Sequence, residues 1–404
     1  MCAAPAPNVL ASNRLTAAWC RSAAPGDFVL SGVGLWPLLA VLADAAAGPA
    51  RAELEGAIGI PVAVAREAAL DILAVLEDSA STSAALGVWA DVDLPLKPEW
   101  VRGLPDGVVE RLAGQQALDS WASKHTRGMI ERFPLRVTPE TVLVLATALC
   151  AETSWREQFQ PHSLAPAAGP WKGHRGLALQ RYSSDTRAAS ILDDAAPVTR
   201  VVVEGDNDLD VHLLLGDAEP DVVLGTGLRA LNGETPIRTD LPPGTVAPGL
   251  TVTEQRNIVP LDDLRIVVPP FDIRSSHDLL ARPDRFGLTA ATNPDLDNLP
   301  AISAIPLFLS EGRQDVVAQF SAKGFKAAAV TAFGARAAGM PPPATHTTRL
   351  VNVGFDRPFG FLAVHRPTGL AVVAGWVASP PAPEPADDTE YPPGAPRPVR
   401  SPLL

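Results

Sequence analysis

Serines, seven histidines and many aspartates invite a hydrolase reading of this chain. Their spacing does not support it. The sequence has no G-x-S-x-G nucleophile turn, no H-E-x-x-H zinc pair and no phosphate-cradling P-loop. Gly225, Gly227 and Ala230 form a G-x-G-x-x-A, but no suitably placed acid follows and the preceding apolar run lacks a strand partner, so a dinucleotide site is not expected. Cys2, Cys20 and Cys150 show neither C-x-x-C nor metal-ligand spacing, and an odd number gives no disulfide framework. No cofactor, metal or catalytic residue is implied. His125 lies among Lys124 and Arg127 and reads as the polar face of a helix.

The stretch that stands out is Ala322-Lys-Gly-Phe-Lys-Ala-Ala-Ala-Val-Thr-Ala-Phe333. In an extended strand its side chains alternate between faces. Phe325, Ala327, Ala329 and Thr331 share one face, and Lys326, Ala328, Val330 and Ala332 the other. Gly324 supplies backbone freedom just before them. Downstream come Phe355-Asp-Arg-Pro-Phe359 and Gly375-Trp-Val-Ala-Ser-Pro380.

That order is similar to the serpin family: a hinge glycine, an alanine-rich hinge, an exposed loop, an F-x-x-P-F strand and a closing G-x-V-x-x-P strand. Further segments match in sequence order. They are Ser31-Gly-Val-Gly-Leu35 running on to Glu53-Leu54, Leu118-Asp-Ser-Trp121 to Ile130, Leu143-Val-Leu145 to Trp155 and Phe159, and Val267-Val-Pro-Pro-Phe271. The chain resembles a divergent, bacterial-type member.

The resemblance implies an α+β fold with three β-sheets, surrounding helices and an exposed reactive loop at about 324–343. It implies one metastable domain over 1–380, although length alone would suggest two or three. The implied function is inhibition of serine-type endopeptidases as a suicide substrate. The protease cuts the loop and forms an acyl-enzyme. The loop then inserts into the central sheet, and the dragged protease loses its oxyanion hole, so deacylation stalls. The implied hinge is Gly324, Phe325, Ala327, Ala328, Ala329 and Thr331. Family spacing from Gly324 puts the reactive bond at Ala338–Gly339, which suits an elastase-like or subtilisin-like protease. Arg336 would suit a trypsin-like one if the register slips.

Some positions depart from the family pattern. Gly32 and Gly34 stand where it has proline and serine, Thr147 where it has asparagine, and Gln314 where it has histidine. Those family positions form a polar cluster that controls opening of the central sheet. Ala322 and Lys323 replace a pair of acids, and Phe325 replaces a threonine. A phenyl ring in a threonine-shaped pocket overpacks it at roughly 1–3 kcal/mol. The alternative function is therefore a serpin-fold binding protein that does not inhibit.

The elements that must position the loop are legible in outline. Residues 8–23 read as a helix, Phe28–Leu30 as a strand, and Leu35 to Leu42 as a buried helix ending near Gly48. Residues 51–59 make a helix stopped by Gly59, and 115–133 another. Ala84–Asp91 is a strand, and Thr141–Ala151 a strand buried on both faces. Val198–Val203 and Val211–Leu215 are strands joined by an acidic turn. Leu264–Pro269 and Val316–Phe320 are strands, with helical sequence at His277–Phe286. Trp121, Trp155 and Phe359 are expected core anchors. Residues 344–354, with His346 and Arg349, read as an exposed connection, and the proline-rich stretch 381–404 as a disordered tail.

A formal net charge of −12 disfavours nucleic acid and anionic membrane surfaces as partners. No secretory signal is evident before Arg14, so the default expectation is a cytoplasmic monomer, with an extracellular setting possible by family resemblance.

Overall fold

The computed structural model describes residues 5–325 and 345–381. Helices form first along the chain: α1 (Pro7–Cys20), α2 (Gly32–Ala45), α3 (Gly48–Ile58) and α4 (Val62–Glu77). α2 is apolar nearly all round and is buried accordingly, with Trp36, Val41 and Ala43 fully enclosed. Ser31 caps it, its hydroxyl accepting from the Gly34 amide at 3.0 Å. α3 ends at Gly59, whose φ of 69° is the left-handed conformation that stops a helix cheaply. α4 is an addition to the expected elements. Ala65, Ala69, Ile72 and Leu76 form its buried stripe.

The strands that bear on function are β1 (Thr82–Ala90), β2 (Val109–Arg111) and β3 (Leu143–Ala151), which form one sheet in the order β2-β1-β3. A second sheet has β4 (Thr153–Ser154), β5 (Phe271–Asp278), β6 (Arg313–Phe320) and β7 (Gly324–Phe325) in the order β5-β6-β7-β4. Only Glu152 separates β3 from β4, so the two sheets are joined at one end and parted at the other.

A seven-stranded antiparallel sheet backs them, centred on Leu209–Leu215, Phe359–His365 and Leu370–Val377. A six-stranded sheet contains β8 (His346–Gly354) between Leu250–Asn257 and Asp263–Val268. Most buried apolar residues form one continuous cluster. A smaller one, with Trp89, Leu118, Phe133 and Val144, lies under α5 (Gln115–His125).

Several expectations are corrected here. The helix expected over 115–133 stops at His125, because Arg127 and Gly128 take positive φ values of 51° and 77°. His277 lies in β5, and the helical signal after it resolves into short 3-10 turns that start where the Asp278 carboxylate accepts from the Leu280 and Ala281 amides. β3 is not buried on both faces. Val144, Ala146, Ala148 and Cys150 are buried, while Leu143, Leu145, Thr147 and Leu149 are only half covered.

Residues 346–354 are a strand, not a loop. Arg349 there donates through Nε to Asp262 at 2.8 Å, and its amide donates to the same carboxylate at 2.7 Å. These bonds hold the Asp262 pKa below the usual carboxylate range. His346 is exposed, opposite Asn257.

Candidate functional site

β3 is hydrogen-bonded to β1 from Leu143 to Ala151, and β6 to β5 from Arg313 to Phe320. Their other edges face one another. Among the described residues only β7 bridges them. Phe325 pairs with Phe320 on one side and Thr153 on the other, and Gly324 with Ser154. Beyond Phe325 the gap is a slot. Its upper part is a cavity of about 110 Å³, bordered by Phe325, Leu149, Thr147, Gln314 and Val316. A second cavity of about 310 Å³ lies at its foot and shares Leu35, Leu38 and Leu145 with the first. The half-covered face of β3 is the one that looks into this space. Facing unpaired edges are the arrangement most ready to accept another strand.

The hinge is held at its root by backbone hydrogen bonds. The Trp155 amide donates to the Lys323 carbonyl at 2.9 Å and its indole N–H to the Ser321 carbonyl at 2.8 Å. The Phe159 amide donates to the Ala322 carbonyl at 3.0 Å. The Ser321 hydroxyl donates to the Gly324 carbonyl at 3.1 Å, closing a turn. The Trp155 and Phe320 rings pack at a tilt of 41° with centroids 4.9 Å apart. The Arg181 guanidinium lies 4.9 Å from the Phe159 ring, and burial lowers its pKa against the pull of Glu157.

Gly324 is required for a different reason than flexibility. A Cβ there would sit 2.2 Å from the Thr153 carbonyl oxygen and 3.0 Å from the Ser154 Cα. Only a residue without a side chain lets the two strands pair at this point. Phe325 is 2% exposed, with its ring 6.4 Å from that of Phe361 and cavity beside it. In this state the site has room for the ring, and the expected overpacking is absent.

The departures from the family pattern converge on the slot. Gln314 accepts from the Ser31 amide at 3.0 Å and donates to the Ser31 carbonyl at 2.9 Å. The Thr147 hydroxyl donates to the Gly34 carbonyl. The Ser31 hydroxyl donates to the Val372 carbonyl at 2.7 Å. Gly34 is glycine because a Cβ there would meet the Gln314 amide at 3.1 Å and the Ser31 hydroxyl at 3.1 Å. Gly32 is shielded in the same way, since a Cβ would meet the Thr16 hydroxyl at 2.0 Å. This cluster ties the start of α2 to β3 on one side of the slot and β6 on the other.

Gln314→Ala leaves the N–H and C=O of Ser31 without these partners at a residue 4% exposed. The carbonyl keeps its bond to the first turn of α2, so a loss of roughly 1–3 kcal/mol is expected from the one unsatisfied N–H. Urea unfolding of the variant reads it directly.

Ser31 and Trp155 are the site residues that sequence reasoning missed. Both act largely through backbone partners, which side-chain identity does not advertise. The cue for Ser31 is its position as a helix cap before an apolar run. Ala327, Ala328, Ala329, Thr331, Arg336, Ala338 and Gly339 lie outside the described residues, as do Lys326, Cys2 and the tail beyond Pro381.

Other candidates fall away. Gly225 to Ala230 lies inside a helix, α6 (Pro220–Leu231), and a Cβ at Gly227 would meet Leu214 at 2.4 Å, so Gly227 serves close packing. Trp155 and Phe359 are buried as expected, and Trp121 packs edge-on against Trp89. His125 lies against the Trp121 ring, and burial lowers its pKa. Burial also pushes the Cys20 thiol up to about 12, where it is inert. Among the described residues no cluster of histidine, cysteine and carboxylates could hold a metal ion, and no helix is long and apolar enough to cross a membrane.

The facing edges, the bridging hinge and the four-sheet frame with its helices define a serpin-type α+β fold. Residues 10–168 and 248–380 match the family described as Serpin (serine protease inhibitor), and the chain belongs to that family. Serpin-Z12 of Oryza sativa subsp. japonica is 29% identical over 160 residues, a match that spans 35% of this chain and only 38% of that relative. Among solved structures, the thermophilic serpin tengpin in its native state superposes with a TM-score of 0.69 at 17% identity, covering 92% of this chain and 93% of that one. Thyroxine-binding globulin in complex with thyroxine gives 0.66 at 15% identity, covering 93% and 99%. Serpin48 of Tenebrio molitor, described as highly specific, gives 0.63 at 15% identity, covering 92% and 97%.

Proposed function

We propose that this chain is not an enzyme but a suicide inhibitor of serine proteases that works by inserting its own loop. The observation that carries this is the slot: two facing strand edges that, among the described residues, are bridged only where Gly324 and Phe325 enter between them. Continuing that pairing one residue at a time would set Ala327 between Ala151 and Ala318, and Ala329 between Leu149 and Val316. Thr331 would come between Thr147 and Gln314, inside the polar cluster. Ala329 would thus meet larger neighbours, Ala327 would meet two alanines, and the one hydroxyl would meet polar partners. Lys326 would turn to the outer face, beside Glu152 and Gln319.

The protease serine attacks the Ala338 carbonyl, the Ala338–Gly339 bond breaks, and the new amine leaves with a proton from the protease histidine. The acyl ester stays attached to a segment that is being drawn into the slot. Its displacement pulls the ester from the oxyanion hole, and hydrolysis slows. The small residue at Ala338 fits an elastase-like or subtilisin-like protease, and Arg336 a trypsin-like one.

The test is a denaturing gel after incubation with proteases of these three kinds. A covalent complex that survives detergent, with the loop cut after Ala338, is expected. Cleavage by every protease with no complex contradicts inhibition. It would favour the second reading, a binding protein with this fold. That reading draws on Phe325 already being fixed in the sheet and on a structural relative described in complex with thyroxine.

A further inference from the structure

The six-stranded sheet carries a cleft of its own, separate from the slot. Its edge strand Gln160–Leu164 pairs with Gly176–Ser183 only as far as Gln160 opposite Gln180. The inner strand runs on to Ser183, while the chain before Gln160 turns inward and buries Phe159. The space left is a cleft of about 440 Å³ lined by Glu157, Gln158, Gln160, Gln180, Arg181 and Tyr182, with Pro161 beside them. Of these residues Arg181 alone is buried, at 7% exposure, whereas Tyr182 is 58% exposed.

A guanidinium held this far from water needs partners for its donors. Arg181 has too few. One terminal nitrogen donates to the Glu157 carbonyl at 3.0 Å, and the Phe159 ring covers its face at 4.9 Å. Its Nε has no hydrogen-bond partner. The Glu157 carboxylate stands 3.9 Å from that nitrogen, beyond hydrogen-bond reach, and its side chain is 52% exposed. An exposed pair at such a distance is weak, so an acid that meets the guanidinium squarely displaces Glu157 at little cost.

We propose that this cleft binds a small organic carboxylate, whose oxygens take the place of Glu157 on the Arg181 fork. The planar fork matches a carboxylate. Glu157 and Glu204 both act on Arg181 already, so a dianion such as phosphate meets more repulsion than a monoanion. The side-chain amides of Gln158, Gln160 and Gln180 supply uncharged donors, and Pro161 and Tyr182 an apolar wall for the body of the ligand. The proposal does not depend on loop insertion.

The test is calorimetric titration of the full chain with benzoate as the probe, which is expected to saturate with a millimolar constant. Benzamide has the same shape without the charge and should bind at least about tenfold more weakly. Inorganic phosphate should also bind more weakly than benzoate. Glu157→Gln removes the competing acid from an exposed position and should tighten benzoate about threefold. Arg181→Met keeps a long side chain over Phe159 without the charge, and should weaken benzoate at least about tenfold. Should Arg181→Met fail to fold, Glu157→Gln and benzamide still decide. Equal binding of benzamide and benzoate, or a Glu157→Gln variant that binds benzoate no better than the parent, overturns recognition by Arg181. Phosphate binding more tightly than benzoate overturns the carboxylate class. No saturation by about 100 mM benzoate, a hundredfold above a millimolar constant, overturns the site.

Discussion

Cutting the loop at one bond should raise the unfolding temperature of this chain by about 10–20 °C. Proteolysis ordinarily loosens a protein, so the sign alone is informative. The gain comes from the facing edges of β3 and β6, which pair with no strand beyond β7 among the described residues. A strand of about ten residues laid between them makes hydrogen bonds on both sides. At a net 0.5–1.5 kcal/mol each, these sum to roughly 10 kcal/mol. Filling the two cavities with apolar side chains adds to it. For a chain of this length each kcal/mol moves the midpoint by ~1–2 °C. Differential scanning of the intact and singly cut forms measures the shift. An unchanged or lower midpoint would mean that the segment stays outside the sheet after cleavage.

Thr331→Arg should convert the inhibitor into a substrate. In the proposed register that side chain points inward between Thr147 and Gln314, beneath which lie Leu35 and Leu38. A guanidinium buried there without a partner costs several kcal/mol. Insertion then loses its race against hydrolysis of the acyl-enzyme. The number of inhibitor molecules consumed per protease trapped is expected to rise at least about tenfold, the effect of ~1.4 kcal/mol on a rate. The loop is still cut at the same bond. Thr331→Val keeps the shape and loses only the hydroxyl, so it should trap nearly as well as the parent. Titration of a fixed amount of protease with each variant gives both numbers. Equal trapping by the arginine variant would place position 331 outside the sheet.

Much of the frame could be read from residue types because it rests on local signals. Gly59 ends α3 where a glycine after a helical run should. The paired strands Val198–Glu204 and Leu209–Leu215 flank the acidic turn their alternation announces. The misreadings share a physical cause, which is that the covering layer is non-local. The apolar run of β3 looks the same whether its second face meets protein or a cavity, and here it meets a cavity. α4 has a buried stripe interrupted by Ala65 and Ala69, a weak contrast against an outer face that also carries valines and alanines. β8 is polar enough to read as a loop, yet it is paired on both edges by strands distant in sequence.

At the site, Gly324 and Phe325 stood out in the sequence, but the reasons did not. Gly324 is needed for the approach of the Thr153 carbonyl, and Phe325 fits because the slot beneath it is hollow. The role of Ser31 depends on the Gln314 side chain 283 residues away, and that of Trp155 on a backbone carbonyl 166 residues away, which no local pattern encodes.

Amide hydrogen exchange along Leu143–Ala151 and Arg313–Phe320, before and after the loop is cut, bears most directly on the idea that the loop becomes the missing strand. In the intact chain, amides of these strands that face the slot should exchange faster than those bonded to β1 and β5. After cleavage they should slow by orders of magnitude together, from Phe325 down to the foot of the slot. Fast exchange that persists on both edges in the cut protein would show that the slot stays open, and insertion would have to be abandoned.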